Sequence, residues 1–100
     1  MVKILLVCSA GMSTSMLVKR MQDAALEEGF QAEIQAVAES EATKINDISI
    51  LMLGPQVRYL KSKFKSLEDS GIPVTVIDTV KYGTMNGKAV LADAKALLKI

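Results

Sequence analysis

"VKILLVCSAGMSTSMLVKRM", Val2 to Met21, is the stretch on which the fold turns. It opens with a short apolar run, Val2–Val7, broken only by Lys3, which is the pattern of a central strand covered on both faces. Cys8 follows where the run stops, and then a glycine and a cluster of hydroxyl side chains. From about Ser13 to Glu28 the apolar Met16, Leu17, Met21, Ala24 and Ala25 recur at helical spacing, with Met16 assigned to the core. Gly29 then supplies a left-handed helix stop. Strand, tight loop and helix in that order begin an α/β layer.

The rest of the chain repeats the alternation. "AEIQAVA" (32–38) mixes small or apolar with polar residues and predicts a more exposed strand, and "ESEATKIND" a short helix or turn. "ISILML" (48–53) is a second buried strand closed by Gly54-Pro55, where Pro55 suits the first turn of a helix because its missing N–H would have no partner there. Val57, Leu60, Phe64 and Leu67 then mark one helix face, "SGIP" (70–73) breaks it, and "VTVI" (74–77) is a fourth strand. "DTVKYGTM" (78–85) reads as a loop. Asn86 reads as the N-cap of a last helix carrying Val90, Leu91, Ala94, Leu97 and Leu98 on one side. The order βαβαβαβα predicts an open four-stranded parallel sheet, strand order 2-1-3-4, with helices on both faces and right-handed crossovers. The 100 residues are expected to form one domain.

Composition excludes much. Twelve basic against eleven acidic residues leave no surplus that asks for nucleic acid. One cysteine allows no intrachain disulfide, CxxC pair or cysteine zinc site. The absence of histidine removes Ser-His and Cys-His catalysis by this chain's own side chains, along with most transition-metal sites. No metal or cofactor is expected. The apolar stretch behind the first residues is too short for a signal peptide, and a cytoplasmic location is expected.

Ligands of open α/β sheets sit beyond the carboxyl ends of the strands. Here those ends are Cys8, about Glu39, Gly54-Pro55-Gln56 and Asp78-Thr79. A strand–loop–helix corner presents backbone N–H groups and a positive helix end, which favour a thiolate and a bound anion. Backbone amides from Ser9 to Ser15 would cradle a phosphate-sized group, with hydroxyls from Ser9, Ser13, Thr14 and Ser15 and with Gly11 relaxing the turn. That is equipment for a phosphocysteine. A lone cysteine ending a buried strand fits a small core residue equally well. A phosphatase loop of cysteine, five residues and arginine would need arginine where Thr14 stands. Without that bidentate clamp the loop is suited to holding a phosphoryl group rather than hydrolysing it.

"CSAGMSTSMLVKRM", then "LGPQVRY", then "YGTMNGKAVL" closely resemble the IIB component of the bacterial phosphoenolpyruvate-dependent sugar phosphotransferase system, in its lactose/cellobiose (chitobiose) branch. The resemblance runs along essentially the whole chain. It implies a relay: a IIA protein carrying phosphohistidine donates to the IIB cysteine, which phosphorylates a disaccharide entering through the membrane IIC transporter. By that resemblance Cys8 is the phosphorylated nucleophile, and Ser9, Ala10, Gly11, Met12, Ser13, Thr14 and Ser15 form the phosphate-binding loop. Gln56, Tyr82 and Gly83 lie near it. The chain would then be peripherally associated with the transporter, and Arg58, Lys61, Lys63, Lys65, Lys19 and Arg20 read either as solvated faces or as a docking surface for IIA or IIC. The alternative is a cysteine-based phosphatase or arsenate-reductase-like enzyme, which the missing arginine and the lack of further cysteines disfavour. A regulatory binding module is a third reading.

Overall fold

The computed structural model describes the backbone of residues 1–8 and 12–100, and their side chains except those of Met12, Ser13 and Thr14. The elements run β1 (Val2–Val7), α1 (Met12–Glu27), β2 (Ala32–Val37), α2 (Glu39–Ala42), β3 (Ile50–Leu53), a 3-10 stretch (Pro55–Phe64), α3 (Lys65–Asp69), β4 (Val74–Val76), α4 (Thr79–Gly83) and α5 (Gly87–Leu98). The four strands form one sheet in the order β2-β1-β3-β4. Every pairing is parallel, with Ile4 opposite Ile34 and Ile50, and Leu53 opposite Val76. This is the predicted sheet in the predicted order.

The pleat divides β1 between two apolar clusters. Ile4 and Leu6 face α1 and α5, packing on Leu17, Met21, Val90, Leu91 and Ala94. Leu5 and Val7 point the other way, onto Val57, Leu60 and Phe64 of the 3-10 stretch. Residues at both faces are buried because helices cover both. The stop at Gly29 takes the expected form: φ is +66°, Gly29 N donates to Leu26 O at 3.2 Å and Phe30 N to Ala25 O at 2.8 Å, the two bonds of a Schellman cap. Among the described residues no helix is long and apolar enough to cross a membrane.

Several expectations are corrected. The helix after β3 is a 3-10 stretch kinked at Val57 (φ −118°, ψ 25°), continued by the short α3. Its tighter coil rises about 2.0 Å per residue rather than 1.5 Å, spreading Val57, Leu60 and Phe64 along the sheet. The segment read as a loop contains α4, so a second helix is inserted after β4. The carboxylate of Asp78 caps it, accepting from Val80 N and Lys81 N at 3.1 Å each. β3 begins at Ile50, two residues later than expected, although Ile48 is still buried. Met16 is 49% exposed. At about 100° per residue it points some 140° from the centre of the face formed by Leu17, Val18, Met21, Ala24 and Ala25. Leu97, at 45% exposure, lies in the last turn of α5 beside a hollow over Thr75 and Val76 of β4. Asn86 caps α5 as expected, its Oδ1 accepting from Ala89 N at 3.1 Å.

Candidate functional site

Cys8 continues the ladder one residue past β1: its N–H donates to Val37 O at 3.3 Å, while Gly54 N donates to Val7 O at 2.9 Å on the other side. The thiol residue is therefore fixed between two neighbouring strands at the carboxyl edge of the sheet. It is 4% exposed yet belongs to neither described apolar cluster, and it lines a hollow of about 360 Å³. Around it stand Ala38, Glu39, Ser40, Val57, Tyr59 and Leu60. Cys8 is buried, as a core residue would be, and it also borders open space. It closes the floor of an open depression, and α1 begins at Met12, four residues further on.

Of the expected loop, Ser9, Ala10 and Gly11 lie outside the described residues, as do the side chains of Met12, Ser13 and Thr14. Ser15 is exposed on the first turn of α1. Gln56 and Tyr82, far apart in sequence, both approach Gly54. A Cβ placed on Gly54 would stand 3.1 Å from Gln56 Oε1, 3.6 Å from Tyr82 Cε2 and 3.6 Å from Val7 O. Gly54 is thus a narrow gap between the end of β1 and these two side chains, and its lack of a side chain lets them approach. Tyr82 also packs into the cluster beneath α1 and α5, so it covers the sheet and reaches the carboxyl edge together. Gly83, by contrast, ends α4 with no atom within 4 Å of where a Cβ would be.

Sequence reasoning placed Glu39 at a strand end without giving it a role, and it passed over Ser40 and Tyr59. Their signal was topological: α2 follows β2 and the 3-10 stretch follows β3, so both open onto the same edge as Cys8. Tyr59 is 71% exposed at the rim. Glu39 is held by an ion pair with Lys63, which reaches it from the 3-10 stretch. Lys63 is therefore engaged by Glu39 although it does not itself line the hollow, whereas Arg58 and Lys61 are exposed along the same stretch, Lys65 at the start of α3, and Lys19 and Arg20 along α1. Arg20 Nη1 reaches back to Met85 O at 3.4 Å. The thiol thus borders an open depression, beyond the end of an interior strand and shortly before a helix.

Residues 3–93 match the family model described as PTS system, Lactose/Cellobiose specific IIB subunit. The chain is similar to the oligo-beta-mannoside-specific EIIB component of Bacillus subtilis, with 41% identity across 98% of this chain and 97% of that protein. It is similar to the galactose-specific EIIB component of Lactococcus lactis, with 42% identity across 95% and 94%. The solution structure of the cellobiose-specific phosphotransferase IIB component from Borrelia burgdorferi superimposes with a TM-score of 0.80 at 40% identity, covering 98% of this chain and 92% of that one.

Proposed function

We infer the activity from one premise: the chain belongs to the lactose/cellobiose-specific IIB subunit family of the phosphoenolpyruvate-dependent sugar phosphotransferase system. Membership implies phosphoryl transfer in sugar uptake. Within that frame residues 1–100 act as a single phosphocarrier domain with Cys8 as its nucleophile. The donor is the phosphohistidine of a IIA protein, and the acceptor is a disaccharide delivered through the membrane IIC transporter. The chain works on the cytoplasmic side, peripherally bound to that transporter. The observation that carries this reading is the place of Cys8, at the end of an interior strand, on the floor of an open hollow and four residues ahead of α1.

In the first half-reaction the sulfur of Cys8 attacks the phosphorus in line with the P–N bond. The P–S bond forms as that bond breaks, and the departing imidazole takes up the proton the thiol gives. In the second half a sugar hydroxyl attacks, the P–S bond breaks, and the proton lost by the hydroxyl balances the one the departing sulfur takes up as the thiol is re-formed. Such transfers pass through a loose transition state, so the protein mainly aligns the groups and stabilises charge. Ser9 through Ser15 are assigned to that task, with backbone N–H groups and hydroxyls around the phosphoryl oxygens. Gln56 and Tyr82 wall the site from the Gly54 side, and Gly83 is assigned to its outer margin. Thr14, where a phosphatase would carry arginine, leaves water poorly activated and so preserves the phosphocysteine for onward transfer.

The test is intact mass after incubation with phosphoenolpyruvate, the general phosphotransferase proteins and a IIA protein, for wild type beside Cys8→Ser. One phosphoryl group on wild type alone, discharged on adding sugar and IIC membranes, is the expected result. Hydrolysis of an aryl phosphate with no labelling would replace this reading with the phosphatase.

A further inference from the structure

The hollow beside Cys8 contains one charge for which the relay has no stated use. Among the described residues lining it, Glu39 alone has a charged side chain. A carboxylate is a poor neighbour for a phosphoryl group: the S-phosphoryl form adds up to about two negative charges to the floor of a hollow that already carries one on its wall. Glu39 is only about one-third exposed, so its field is not fully damped by water, and Lys63 pairs with it from outside the lining of the hollow. The two charges come from different elements, α2 and the 3-10 stretch, and meet at the Glu39 carboxylate, on the wall of the hollow that Cys8 also lines.

We propose that Glu39 and Lys63 set the phosphoryl-transfer potential of Cys8, Glu39 raising the energy of the phosphocysteine by like-charge repulsion and Lys63 limiting that rise. The inference rests on the carrier reading and gives it a direction. A phosphoryl group repelled by the site that holds it passes on readily, whereas a site built only of donors would retain it. Neither residue makes or breaks a bond in the transfer. Glu39 touches neither thiol nor imidazole in this account and acts through the electrostatic energy of the charged product, so it is a tuning residue. Its sign is opposite to that of its partner, and this separates it from a structural role. Loss of Glu39 stabilises the phosphorylated form, and loss of Lys63 destabilises it.

The experiment mixes the full chain with a limiting amount of radiolabelled phospho-IIA, lets the label equilibrate and reads its distribution between the two proteins. Wild type, Glu39→Gln and Lys63→Met are compared, with far-UV circular dichroism confirming that each is folded. Glu39→Gln is expected to move label toward this chain by about three- to tenfold, the order for removing a unit charge near a dianion in a half-wet hollow. Lys63→Met is expected to move it toward IIA. A Glu39→Gln distribution within twofold of wild type, or shifts of both variants in the same direction, overturns the inference while leaving the carrier reading in place. Absence of label on wild-type Cys8 overturns the carrier reading, and this inference with it.

Discussion

Gly87→Ala should destabilise the protein, although it replaces glycine by the best helix former. Gly87 is the first residue of α5 and is buried against α1. A Cβ there would lie 2.5 Å from Arg20 C, 2.6 Å from Met21 N and 2.7 Å from Arg20 Cβ. Two of these atoms are α1 backbone, and α1 is itself pressed onto β1 through Leu17 and Met21, so neither helix can yield alone. The helices must part by about an ångström, loosening the contacts of Val90, Leu91 and Ala94. Overpacking of this kind costs about 1–3 kcal/mol. The gain from removing a glycine in a helix, about 0.5–1 kcal/mol, offsets part of it. A net loss of about 1–2 kcal/mol corresponds to a Tm lower by about 5–15 °C in a domain of this size. The assay is thermal and urea unfolding followed by circular dichroism, with Gly54→Ala beside it. There the nearest atom is the flexible end of Gln56 at 3.1 Å and φ is an ordinary −62°, so the change should stay within about 1 kcal/mol. If Gly87→Ala melts at or above wild type, or no lower than Gly54→Ala, the close crossing of α1 and α5 is not what glycine serves.

Two further outcomes follow from the segment after β4. Asp78→Ala removes the acceptor for Val80 N and Lys81 N and should cost about 1 kcal/mol in urea unfolding, with Asp78→Asn recovering most of it. Lys81 donates to Asp93 Oδ2 at 2.8 Å, and that hydrogen bond, with attraction to Asp93 and Asp78, holds its amine above the ordinary 10.5 against a smaller opposing effect of burial. The folded state therefore binds this proton more tightly than the unfolded state does. The pair's contribution is complete below pH 10.5 and is lost as pH rises through the raised folded value. The stability difference between wild type and Lys81→Met, read by urea titration, should be constant from neutral pH to about 9 and should shrink in strongly alkaline buffer; an unchanged difference there would remove the role given to Asp93.

The helical segments divide according to what stabilises them. α1 and α5 carry wide apolar faces and end signals in their own residues, Gly29 and Asn86, so both were readable with little error in their bounds. α4 has Thr79, Val80 and Tyr82, which are indifferent helix formers, and a glycine at its end, so local preference points to a loop. It is ordered by the Asp78 cap and by burial of Tyr82, and that burial depends on a cluster assembled from α1, α5 and the sheet. The same holds for Met16. Counting apolar residues put it inside, but the sheet is covered by the arc centred on Met21, and a side chain outside that arc faces away from the sheet.

By itself the sequence determined the parallel sheet, because the apolar runs at Ile4–Val7 and Ile50–Leu53 are best satisfied by strands covered on both faces and joined by helical crossovers, and the expected order 2-1-3-4 is the one the sheet adopts. It also determined that Cys8 stands at the carboxyl edge, since the run ends there. Only the tertiary structure decided what surrounds the thiol. Glu39 and Tyr59 reach the hollow of Cys8, and Tyr82 and Gln56 both come up against Gly54, through contacts between elements distant in sequence. Such meetings depend on crossing distance, coil type and register, and no local spacing records them.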